Sequence, residues 1–197
     1  MKRVLLFAAP LLIVGLLYFA RGPYFFPTST ALGPCFKDWT SPSSYMSRAS
    51  PLRSVDMDLG DAQARLCYGA PSSNGRRLFG QGGVVPDGLL WRMGANEPTR
   101  LFVDGPVTLG SLRLEPGRYS LYAQTGQTMW RIFATQSTRH WGNMISSGVR
   151  AQEVGSFEVP RVRLGGHVEE LTFSHADDTL TMAWGFTRIH MPLAAAE

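Results

Sequence analysis

From Ala64 onward the chain carries a period of two, interrupted by turn residues every eight to twelve positions. That rhythm constrains the fold more than any other feature, because alternation over short segments belongs to half-buried strands and not to helices. Ala64, Leu66 and Tyr68 alternate with Arg65 and Cys67, and an Asn74-Gly75 turn follows. Strands are expected at Leu89 to Met93, Thr99 to Val103, Arg118 to Ala123, Met129 to Ala134, Phe157 to Leu164 and Val168 to Phe173. Val107 to Leu109 and Leu112 to Leu114 flank Gly110-Ser111 as a hairpin.

The last strand starts at Thr179 and places Leu180, Met182, Trp184 and Phe186 on one face, yet its later apolar residues are Ile189, Met191 and Leu193. One residue of slip sends every side chain to the opposite face, so a bulge or break is predicted near Gly185 to Arg188. Nothing after residue 21 keeps a helical period for more than two turns. The predicted fold is an all-β antiparallel sandwich, of jelly-roll or immunoglobulin-like type.

The N-terminus is of another kind. Val4 to Ala20 holds seventeen residues without a charge, behind Lys2 and Arg3 and ahead of Arg21. As a helix this run reaches ~26 Å, at the short end of what crosses a bilayer core. Tyr24, Phe25 and Phe26 fall where aromatic rings favour the headgroup layer, and the leading positive charges place the N-terminus in the cytoplasm. A cleaved secretory signal is the competing reading, but the small-residue site Ser29-Thr30-Ala31 lies far beyond the apolar core. The organisation expected is a transmembrane signal anchor over 1–21, a Pro/Ser-rich aromatic tether over 22–60, and a periplasmic β-domain over 61–197.

Charge narrows the function. Of the net +4, residues 1–59 supply six Lys or Arg against three acids, and residues 60–197 supply thirteen against twelve. A nearly neutral domain lacks the basic stripe that neutralises successive phosphates, so no nucleic-acid partner is expected. Cys35 and Cys67, the two cysteines, can pair in an oxidising compartment or remain as a free thiol and a buried one. His140, His167, His175 and His190 have neither ligand spacing nor companion carboxylates, so no metal or other cofactor is expected.

Arg76, Arg92, Asn96 and Glu97 form the best candidate polar pocket. They serve equally as a loop lock, with Asn bonding its own turn and Glu pairing with Arg.

The run Tyr68 to Arg76 (YGAPSSNGR), Leu78-Phe79-Gly80, Trp91 to Glu97 (WRMGANE), Leu114 to Leu121 (LEPGRYSL), the Trp130 strand and Trp141-Gly142 together resemble the bacterial family catalogued as domain of unknown function 2911. The resemblance runs from about Ala62 to Leu193. It implies an exported β-sandwich and no established reaction.

These readings favour a non-catalytic accessory subunit, held in the inner membrane by one span with its domain in the periplasm. Membrane lipid and a larger integral membrane complex would be its partners, the latter a photosynthetic reaction-centre or respiratory electron-transfer assembly. The alternative is an envelope module or enzyme for a small ligand such as a carbohydrate, using the Arg92, Asn96 and Glu97 region.

Overall fold

The computed structural model describes Cys35, residues 49–140 and residues 142–196. The predicted anchor, Tyr24, Phe25, Phe26 and most of the tether lie outside the described residues. Among the described residues no helix is long and apolar enough to cross a membrane.

Eleven strands follow in order: β1 Leu52–Asp58, β2 Gln63–Gly69, β3 Leu90–Trp91, β4 Thr99–Val103, β5 Val107–Leu109, β6 Leu112–Leu114, β7 Gly117–Gln124, β8 Met129–Thr135, β9 Glu153–Pro160, β10 Val162–Ala176 and β11 Thr179–Ala195. One helical turn, α1 Ser147–Arg150, lies between β8 and β9. The larger sheet runs β1-β2-β4-β7-β8-β9 with β3 also on β7, and the smaller runs β10-β11-β5-β6. All strand pairings are antiparallel. The chain is therefore an all-β, two-sheet sandwich.

Alternation decides what enters the interior. Leu66 and Tyr68 of β2, Leu101 and Val103 of β4, Leu121 of β7 and Trp130 and Ile132 of β8 are buried in one core with Leu180, Met182 and Trp184 of β11. Burying each such side chain contributes about 1.5–3 kcal/mol relative to leaving it in water. A second, smaller cluster of Tyr122, Phe133 and Val149 lies on the outer face of the larger sheet, roofed by α1.

The parity change in the last strand occurs at Gly185. Its φ of +59° is open to glycine and strained for other residues, and β10 carries extra residues opposite this point. Leu180, Met182 and Trp184 point inward before it, and Ile189, Met191 and Leu193 after it. Phe186, expected on the inner face, is instead 46% exposed because the turn at Gly185 carries it outward.

Two other boundaries differ from expectation. Residues 52–58, assigned above to the tether, form edge strand β1, whose largely exposed pattern hides the alternation. The expected strand Phe157 to Leu164 is two strands in different sheets. Pro160 has no N–H to continue the ladder, and the Arg161 N–H turns to the Thr128 carbonyl.

Candidate functional site

A cavity of about 310 Å³ is lined chiefly by two loops, with Ser50, Val85 and Asn143 from other segments and Trp184 beside the inversion point of β11. The first loop follows β3. The Trp91 indole donates to the Gly94 carbonyl at 3.2 Å and the Thr99 hydroxyl to the Met93 carbonyl at 3.1 Å, while the Ala95 N–H reaches the Gly69 carbonyl at 3.0 Å. Met93 and Asn96 adopt positive φ, which cuts β3 short at two residues.

The second loop, Pro71 to Arg76, is stitched to β10. Ser73 N–H donates to the Glu169 carbonyl, and the Leu171 N–H returns to the Pro71 carbonyl. The Glu169 carboxylate accepts from the Ser73 hydroxyl at 2.5 Å and the Asn74 N–H at 2.8 Å. Those two bonds, the hydroxyl first, hold the Glu169 carboxyl below its ordinary range. Arg76 is aimed by its own loop: Nε donates to the Ser73 carbonyl and Nη2 to the Ser72 carbonyl, at 2.9 and 2.7 Å.

The four candidate residues divide between two tasks. Arg76 and Arg92 line the cavity. Asn96 Nδ2 donates to the Ser50 carbonyl at 3.4 Å, tying the turn to the start of β1, and Glu97 is buried beneath the turn. Burial lowers the Arg92 guanidinium from its ordinary value, and the nearby Glu97 charge opposes that shift. Arg92 nevertheless stays charged, since guanidinium is protonated far above any physiological pH.

Sequence reasoning missed Trp184, Ser72, Asn74 and Asn143 as parts of the lining. Asn143 accepts from the Arg92 backbone N–H at 3.1 Å, which ties its loop to the turn after β3. Trp184 is 1% exposed and stacked on Trp91, with ring centroids 5.9 Å apart and planes at 15°. Its place at the parity change was the one signal that could have marked it.

Two donors at this wall are left open. The Arg92 Nε and the Trp184 Nε1 are both buried and reach no acceptor among the described residues. Among the described residues no carboxylate lines the cavity.

The described lining offers mainly hydrogen-bond donors. Ser73 and His167 both face Glu169, the imidazole at 3.7 Å, so the carboxylate stands between hydroxyl and imidazole. A relay needs the imidazole in that middle place. Among the described residues no group of three His, Cys, Asp or Glu is placed to hold a metal ion.

A family model described as "Protein of unknown function (DUF2911)" matches residues 50–193, well over half of the chain. The chain belongs to this family. No curated protein and no solved structure matches it. The DUF2911 match begins before β1, in agreement with a domain that starts ahead of residue 61. Within the DUF2911 domain, the Trp91 to Glu97 motif supplies both the cavity wall, through Trp91 and Arg92, and the lock behind it, through Asn96 and Glu97. Cys35 lies outside the matched range, yet it is bonded to Cys67 of β2 with the Cα atoms 5.5 Å apart.

Proposed function

We propose that the DUF2911 domain of this chain is a non-catalytic binding module for a small hydroxylated acid of the sugar-acid class. The observation that carries this reading is the pair of buried donors, without a partner among the described residues, that belong to lining residues of a cavity whose described wall has no carboxylate. An unsatisfied buried polar group costs about 1–3 kcal/mol, so an incoming acceptor recovers free energy that the empty fold forgoes. A guanidinium suits a carboxylate, while Ser72, Asn74 and Asn143 offer neutral partners to hydroxyls.

The compartment is part of the proposal. A disulfide between Cys35 and Cys67 belongs to an oxidising environment, which agrees with a single-pass inner-membrane anchor and a periplasmic domain. Docking as an accessory subunit on an integral membrane complex is the competing proposal, and its support is the apolar run and the aromatic segment that precede β1.

The test is calorimetric titration of the detergent-solubilised full chain with glucuronate and galacturonate. Saturable binding is expected, weakened about tenfold or more in Arg92→Gln and by a smaller factor in Trp184→Phe, as charged and neutral hydrogen bonds differ in worth. Unchanged heats in both variants, or no binding together with a stoichiometric co-purifying membrane complex, would displace this reading in favour of docking.

A further inference from the structure

A second depression of about 610 Å³ adjoins the first and shares Arg76 with it. Arg76, Arg77, Arg161, Arg163 and His167 line it around the exposed ring of Phe186, again with no carboxylate in the lining among the described residues. Phe186 is steadied by the Arg163 guanidinium, 5.5 Å from its centroid, and by an edge-type contact with the His167 ring at 5.1 Å. Arg161 is anchored by the Thr187 hydroxyl at 3.2 Å and lies over Phe79 at 5.4 Å. Arg77 and Arg163 have no ion pair among the described residues, and both are exposed. Asp87 acts electrostatically on Arg161, and the exposed Glu169 carboxylate acts on Arg76 and lies 3.7 Å from the His167 imidazole.

Guanidinium groups spaced around an aromatic face form a surface for a chain of alternating anions and ring faces. Carboxylates take the forks, and the apolar side of a sugar ring lies on the phenyl. The geometry points to an acidic oligosaccharide as the ligand, with one acidic sugar in the first cavity and the following units laid across Arg76 into the groove, between Arg77, Arg163 and Phe186. This inference rests on the cavity reading above and extends it from a monomer to a polymer of the same chemistry.

The test is titration of the full chain with galacturonate and with oligogalacturonates of two to six units, beside a neutral oligosaccharide of matching length. Affinity should rise at least tenfold from monomer to tetramer at low salt, and the gain should shrink as salt screens the exposed arginines. The double variant Arg77→Gln, Arg163→Gln should abolish the gain and leave the monomer's affinity unchanged. Neither side chain is buried, so the fold tolerates both changes.

Monomer binding through Arg92 with no gain in the tetramer overturns the groove extension alone. Tetramer binding that the double variant abolishes but Arg92→Gln and Trp184→Phe leave unmoved overturns the cavity reading alone. An equal gain for the neutral oligosaccharide removes the charge argument, and no binding by any acid overturns both.

Discussion

The inner and outer faces of the larger sheet solve the same problem in different ways. On the inner face Phe79 and Trp91 each pack against the other and against both Trp130 and Trp184, with centroids 6.0 Å apart or less and mostly edge-to-face. On the outer face Tyr122 and Phe133 stack at 4.9 Å under α1, and Arg150 lies 6.0 Å above Phe133. Every polar tip of the outer cluster is used: the Tyr122 hydroxyl donates to Glu153, and Arg150 Nε donates to the same carboxylate at 3.0 Å. Inside, Trp91 and Trp130 reach the Gly94 and Gly126 carbonyls, and only Trp184 is left open. The contrast separates architecture from recognition, because the unbonded donor of Trp184 belongs to a cavity-lining residue, whereas the equally buried and unbonded Ser120 hydroxyl of the outer face lines neither cavity.

The comparison breaks most easily at Trp130. It is fully buried and touches both Phe79 and Trp91, so Trp130→Ala should cost about 3–5 kcal/mol, measured by urea unfolding. Phe133→Ala removes an outer ring that shares its cluster with Tyr122, Val149, Leu90 and Ile145 alone, and should cost about 3 kcal/mol or less. Equal losses would mean that the inner ring cluster is no more central than the outer one.

The next test concerns what holds the outer face. Cys67 lies on that face of β2, opposite Arg100 of β4, and its bond to Cys35 spans 32 residues of chain. A loop of that size gives an expected stabilisation of about 3–4 kcal/mol. Cys35→Ser with Cys67→Ser should therefore lower the melting temperature, while the near-ultraviolet dichroism of the inner tryptophans stays as it is. A double variant that melts with the parent would show that the outer face needs no covalent tie.

Most of this frame was legible because alternation survives wherever one face of a strand is buried. Thr99 to Val103 and the hairpin around Gly110 fall where the pattern puts them, and so does the inversion at Gly185. β1 escaped because an edge strand with four exposed residues of seven has no face to advertise. Arg76 and Arg92 could be picked as cavity residues from charge beside a tryptophan turn, whereas Trp184 could not. Its significance is a missing acceptor, and that exists only after the loops have closed. The arginine groove escaped for another reason: residues 60–197 are nearly neutral as a sum, and Arg76, Arg77, Arg161 and Arg163 meet only because β10 folds back beside the loop after β2.

The smallest expected effect sharpens the comparison through pH. Burial first, and the bond to Glu153 second, hold the Tyr122 phenol above its ordinary range. A group whose pKa is raised by folding contributes its full stability below the unfolded value, about 10 for a phenol, and loses it as pH rises toward the folded one. The outer cluster should thus weaken above about pH 10, when the unfolded phenol ionises and the folded one resists. Tyr122→Phe removes that titration and keeps the stack on Phe133. Between pH 8 and pH 11 the parent's urea midpoint should fall further than the variant's, since Tyr68 and Tyr119, also held high chiefly by burial, titrate alike in both. Parallel falls would mean that the Tyr122 hydroxyl donates to water rather than to Glu153, and that this bond does not hold the outer cluster together.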